Sequence, residues 1–199
     1  MKHCGTRQLE TGRLILRPLD PDDCEMMFGN WAGDPEVTEY LRWNAHKDWT
    51  VTMEYLNEIA KQYSRPDFYD WGICDKVTGV LMGSISIAPA EQAQRSSPCD
   101  WKNVKTELLG EMWEIGYALG KKWWNRGYMT EAAVAVRDEW FGTVGAPWLA
   151  GFHAAHNVAS SRVLAKAGFR YDHDTVLHRF DGTEVPGLAW YQLNPGSHA

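Results

Sequence analysis

Apolar and polar positions follow two periods along this chain. RLILRPL (Arg13 to Leu19) alternates at nearly every step and is rich in β-formers, which predicts a strand with one face buried. Pro18 and the acidic cluster Asp20 to Asp23 end it and open a helix through about Trp31. Met53, Leu56, Ile59 and Ala60 recur at helical spacing and predict a helix from about Thr50 to Tyr63. FYDWGICD (Phe68 to Asp75) and VLMGSISIAP (Val80 to Pro89), joined by the turn Lys76 to Gly79, read as a β-hairpin. Residues 90–109 are polar and turn-rich, a long loop of the kind that is usually functional or mobile.

The second half alternates strand with helix. EMWEIGYALG (Glu111 to Gly120) predicts a strand, followed by KKWWNRGYMTEA (Lys121 to Ala132) and a helix from about Met129 to Thr143. PWLAGFHAA (Pro147 to Ala155) is another strand. NVASSRVLAKAG (Asn157 to Gly168) is a short helix, with Asn157 suited to its N-cap and Gly168 to its exit. FRYDHDTVLHRF, the turn Asp181-Gly182 and VPGLAWYQL close the chain as a hairpin. The order implies an α/β chain: a mixed sheet with helices on both faces. With 199 residues, no internal repeat and no clear linker, a single domain over residues 1–199 is expected.

Composition narrows the function classes. The net charge of −6 argues against a nucleic-acid partner, which needs a basic surface, and is compatible with a cationic substrate. No apolar run nears the roughly 18 residues of a membrane span. The N-terminus lacks the apolar segment of a secretory signal, so no membrane association and a cytoplasmic location are expected. Cys4, Cys24, Cys74 and Cys99 are scattered, which fits reduced, packed thiols better than a disulfide framework or a zinc site. His153 and His156 form HxxH, but further ligands at suggestive spacing are missing, so no metal is expected. Eleven tryptophans are the oddity; aromatics fill cores and line ligand clefts alike.

KKWWNRGYMTEA carries the first chemistry. Backbone N–H groups at a helix start lack intrahelical partners and, with the helix dipole, form an anion site. Gly127 permits close approach or positive φ, and Lys121, Lys122 and Arg126 add charge, a combination that suits a pyrophosphate. These twelve residues alone fit an ordinary strand–helix turn with a solvated basic face equally well. Neither GxxxxGK[ST] nor GxGxxG occurs, so the usual nucleotide motifs are absent.

LETGRLILRPLDPDDCEMMF, DPEVTEYL, WEIGYALGKKWWNRGYMTEAAVAV, HNVASSRVLAKAGF and a C-terminal hairpin follow one another in register along nearly the whole chain. Together they resemble the GNAT superfamily of acyl-CoA-dependent N-acyltransferases, in particular its branch of ribosomal-protein N-terminal acetyltransferases (RimJ/RimL type). The resemblance implies a central, mostly antiparallel sheet of about seven strands, with a splayed parallel pair forming the CoA cleft. The family's pyrophosphate loop, Gln/Arg-x-x-Gly-x-Gly/Ala, maps onto Lys122 to Gly127. Lys122 stands for Gln or Arg, and Asn125 for the first glycine; asparagine is the non-glycine residue that best tolerates left-handed angles. By this resemblance the amides of Arg126, Gly127, Tyr128, Met129 and Thr130 would cradle the pyrophosphate. The backbone of Tyr117, Ala118 and Leu119 would pair with the pantetheine arm, one N–H polarising the acetyl carbonyl.

Acyl transfer to an amine needs an uncharged nucleophile, whereas alkyl amines with a pKa of about 10.4 are mostly protonated near neutrality. A carboxylate, directly or through water, can take the proton. Glu114 lies where the family often carries that base, on the strand face opposite Tyr117; a purely structural acid is the alternative. Asn157 is a helix cap by its residue type, and the resemblance adds a pantetheine contact. Ser160 shares an inward stripe with Val163, Leu164 and Ala167, where its hydroxyl needs a partner. That partner is a departing CoA thiolate or the Asn157 region. The expected activity is direct acetyl transfer from acetyl-CoA to a primary amine by a monomer or homodimer. The acceptor is a protein N-terminus, or a small amine such as a polyamine, amino sugar or antibiotic in a pocket shaped by Trp31, Trp43, Trp49, Trp71 and the loop around Trp101. A non-catalytic CoA-binding module is the competing class.

Overall fold

The computed structural model describes residues 1–90 and 100–196. One eight-stranded sheet organises them, with strands β1 (Leu9–Glu10), β2 (Leu14–Arg17), β3 (Tyr69–Asp75), β4 (Leu81–Pro89), β5 (Trp113–Leu119), β6 (Trp148–Ala154), β7 (Arg170–His178) and β8 (Glu184–Leu193). Their order is β1-β2-β3-β4-β5-β6-β8-β7, antiparallel throughout except for β5 beside β6. The helices are α1 (Cys24–Met27), α2 (Pro35–Thr38), α3 (Trp49–Gln62), α4 (Tyr128–Gly142) and α5 (Val158–Lys166).

The two faces of the sheet carry separate cores. On one, Ile73, Ile85, Ile87 and Ile115 pack against Val136 and Trp140 of α4 and Leu164 of α5. On the other, Leu19, Cys74, Leu81 and Ala118 meet Met27, Trp31, Leu56 and Ile59. Cys24 and Cys74 are buried free thiols packed as small apolar groups. No helix among the described residues is long and apolar enough to cross a membrane.

The expected mostly antiparallel sheet with one parallel pair is present, and the two-residue β1, paired with β2, brings it to eight strands. Other expectations needed revision. The helix expected from Asp20 to Trp31 is a composite: a 3-10 turn at Pro21–Asp23, then α1, then a π turn at Phe28–Ala32. Glu111 lies ahead of β5 and is exposed, so it has no strand face. Within the long loop, residues 91–99 lie outside the described residues. Its later part packs down: Trp101, Val104 and Leu109 are buried with Trp148 and Tyr191, apart from either cleft described below.

Candidate active site

The decisive feature is how β5 and β6 part. They run to Leu119 and Ala154, yet they pair only at Glu114 with Ala150 and Ile115 with Gly151. A gap opens beyond, and α5 begins at its far side. Two cavities, each of about 480 Å³, reach this point from opposite directions. Tyr40, Leu41, Tyr117, Ala118, Asn157 and Ser160 line both.

The cavity on the α4 side is built by the turn after β5. Lys121–Trp123 form a 3-10 turn, Asn125 has φ 60° and Gly127 has φ 78°, and α4 starts with no side-chain cap. Asn125 is the one non-glycine with positive φ among the described residues, a geometry its short amide tolerates. The first intrahelical bond runs from Glu131 N–H to the Gly127 carbonyl (3.0 Å), so the amides of Tyr128, Met129 and Thr130 precede the helical ladder. All three residues line the cavity, as do Leu119, Asn125 and Gly127.

Lys122 and Arg126 do not line it. Lys122 projects over the Trp123 ring, and the Arg126 carbonyl accepts Arg13 Nη1 (3.1 Å). Lys121 pairs with Glu36. The cations bordering this cavity are Arg162 and Lys166, four residues apart on α5. Their spacing is the one sequence signal that marks them as a pair on a single helix face. Trp124 closes the end of β5, its indole N–H donating to the Leu119 carbonyl (2.7 Å), so that carbonyl is already engaged. Trp123 packs against the core.

At the junction, Asn157 caps α5: its Oδ1 accepts the Ser160 N–H (3.0 Å). Ser160 is 7% exposed, and its Oγ lies 2.7 Å from the Tyr117 hydroxyl. Burial pushes the Tyr117 phenol well above its ordinary value, so it stays a proton carrier at neutral pH.

The second cavity lies between the sheet and the segment 40–46. Glu114 and Gly116 of β5 share it with Ser84 and Ser86 of β4 and Asp70 of β3. Glu114 Oε1 accepts Arg42 Nη1 (3.1 Å), and Arg42 also stacks over Phe180. His153 is held by hydrogen bonds: its Nδ1 lies 2.8 Å from the Ala154 carbonyl and its Nε2 accepts Trp190 Nε1 (2.9 Å). Of the tryptophans expected here, only Trp43 lines the cavity. Trp31 and Trp71 are core residues, Trp49 is 58% exposed, and Trp101 packs between Trp148 and His173. Sequence reasoning passed over Asp70, an acid near the start of a strand of otherwise mostly apolar residues that ends in Asp75.

Comparison with known proteins agrees with this architecture. The model of the acetyltransferase (GNAT) domain matches residues 13–170. The uncharacterized N-acetyltransferase YoaA of Bacillus subtilis (strain 168) is 28% identical over 162 residues, covering 81% of this chain and 82% of its own. Among solved structures, a GNAT-family acetyltransferase from Bacillus anthracis has a TM-score of 0.74 at 18% identity, covering 94% of this chain and 99% of that one. The ribosomal-protein-S5-alanine acetyltransferase of Vibrio fischeri has a TM-score of 0.73 at 14% identity, covering 96% and 98%. These two likenesses are of fold. The domain match spans most of the sequence, including both arms of the β5–β6 gap: the chain belongs to the GNAT acetyltransferase family and is an acetyl-transferring enzyme.

Proposed function

We propose that this enzyme moves the acetyl group of acetyl-CoA to a small primary amine, with the donor in the α4-side cavity and the acceptor in the Glu114 cavity. The observation that carries this reading is the meeting of the two cavities at Tyr117, Ala118, Asn157 and Ser160. The residues present suit the donor. Tyr128, Met129 and Thr130 bring amides not yet in the helical ladder, and Arg162 and Lys166 add positive charge for phosphates.

When bound, acetyl-CoA supplies an activated acetyl thioester. Glu114 takes the proton that frees the amine's lone pair, directly or through water. The amine nitrogen bonds to the acetyl carbon, and the carbon–sulfur bond breaks. A β5 amide near Tyr117, beyond the last β5–β6 pair, stabilises charge on the carbonyl oxygen. The second proton lost by the attacking nitrogen goes to the leaving sulfur, and the Ser160 hydroxyl, 2.7 Å from the Tyr117 hydroxyl, donates a hydrogen bond to that sulfur as it departs. No covalent enzyme intermediate is needed.

The acceptor cavity favours a small amine over a peptide N-terminus, because aromatic rings of Tyr40, Trp43, Phe152 and Phe180 line it together with two acids. A peptide acceptor draws only on the fold likeness to the ribosomal-protein acetyltransferase. A screen of small amines and short peptides for free-thiol release from acetyl-CoA tests this. Turnover confined to peptides contradicts it, and binding of acetyl-CoA without any turnover supports a non-catalytic module.

Substitutions at two positions probe the halves separately. A Cβ on Gly116 would meet only Ser86 Oγ, at 3.6 Å, so Gly116→Leu projects into the acceptor cavity without a backbone clash. It is expected to raise KM for the amine at least ~10-fold, the cost of about 1.4 kcal/mol of lost binding, with acetyl-CoA affinity preserved by calorimetry. Asn125→Val forces a β-branched residue to φ 60°, at a cost of roughly 1–2 kcal/mol, and should lower both Tm and acetyl-CoA affinity. Asn125→Gly relieves the same strain and should leave both at or above wild type.

A further inference from the structure

Asp70 is the one acid in the acceptor cavity that the transfer chemistry leaves unused. It is 7% exposed, and its Oδ2 accepts the Tyr55 hydroxyl (3.1 Å). Among the described residues no cation pairs with it, whereas Glu114 is held by Arg42. Burial pushes the Asp70 carboxyl up to about 7, the Tyr55 hydrogen bond offsetting part of that cost. A carboxyl withdrawn from water without a cation is costly, and a folded chain keeps one at low occupancy of charge until a compensating group arrives.

Sheet register fixes where Asp70 stands. It is opposite Ser86, and Ser86 is opposite Gly116. Two inter-strand steps place its backbone about 10 Å from that of Gly116, with Glu114 two residues along the same face of β5. The cavity thus has an acid at the end where β5 and β6 part and a second acid two strands away. Serines and a glycine occupy the floor between, leaving room for a slender aliphatic chain.

We propose that Asp70, oriented by Tyr55, binds a second protonated nitrogen on the acceptor, so that the acceptor class is a compact diamine or polyamine. This rests on the acetyl-transfer reading above. Amine nitrogens at both ends of a short chain satisfy both acids. A monoamine, or an N-terminus without a basic side chain, leaves Asp70 without a cation.

The test is steady-state thiol release from acetyl-CoA with putrescine and n-butylamine, which have the same carbon skeleton, in wild type, Asp70→Asn and Tyr55→Phe. A charge-assisted contact predicts a kcat/KM ratio favouring putrescine by roughly ten- to a hundred-fold, carried mainly by KM. Asp70→Asn should bring the ratio towards one, and Tyr55→Phe should reduce it by a smaller factor. Tyr55→Phe decides the matter if Asp70→Asn does not fold. The inference is overturned by a wild-type ratio near one, by a ratio unmoved in both variants, or by a loss falling on kcat alike for both amines. It is also overturned if acetyl-CoA binds but no diamine is acetylated, an outcome that spares the donor site. Failure to bind acetyl-CoA would instead remove the reading beneath it.

Discussion

Glu114→Gln should lower kcat by roughly 10²–10⁴-fold while acetyl-CoA affinity stays within error of wild type. The substitution keeps the side chain's shape and leaves a carbonyl oxygen to accept Arg42 Nη1, so the cavity wall is preserved. What it removes is the basic site that takes the ammonium proton. Raising the pH tests the assignment from a second side: the deficit should shrink as the free amine fraction rises, because deprotonation in solution then replaces deprotonation on the enzyme. A rate equal to wild type would take Glu114 out of the mechanism and leave it as the structural partner of Arg42.

The second large effect concerns stability. Asp70 titrates at about 7 in the fold and near its ordinary 3.8 when unfolded. Between those values the folded state holds the extra proton, so its stability contribution is fully present below about pH 4 and is lost as pH rises through about 7. The shift of about three units corresponds to about 4 kcal/mol at most above pH 8, since each unit is about 1.4 kcal/mol. Asp70→Asn cannot ionise and should escape this loss. Its Tm relative to wild type should therefore climb steadily from pH 5 to pH 8. A Tm difference flat across that range would mean that the carboxyl is not withdrawn from water in the folded protein. Saturating putrescine should narrow the gap at pH 8, because it supplies the missing cation only to the wild type.

Much of the fold was legible because its elements are strongly periodic. α3, α4, α5 and the two long hairpins fall within one or two residues of the segments read from apolar spacing. β1 escaped notice because two residues cannot display a period, and the Asp20–Trp31 segment because 3-10, α and π turns share nearly the same apolar spacing over so short a span. The parting of β5 from β6 was available only through family resemblance: pairing that stops at Ile115 is decided by what packs beyond it, not by the strands' own residues.

The site shows the same division. Asn125 was readable as a left-handed position from its residue type, and it has φ 60°. Which cations border the donor cavity was not readable: three basic residues crowd the loop, yet Arg162 and Lys166 of α5 face that cavity instead. Tryptophan positions misled for a general reason, since a large apolar ring fits a core as well as a cleft. Trp31 and Trp71 fill cores while Trp43 alone reaches the acceptor cavity. Asp70 was hidden because both faces of β3 are buried, so alternation gave no hint of which residues turn toward a cavity. The available signal was the anomaly itself, an acid inside an apolar strand.

The most direct test of the account is a calorimetric titration of the purified protein with acetyl-CoA. It should show one site per chain with a Kd in the micromolar range, weakened in Asn125→Val and retained in Glu114→Gln. No saturable binding up to high micromolar acetyl-CoA would contradict it.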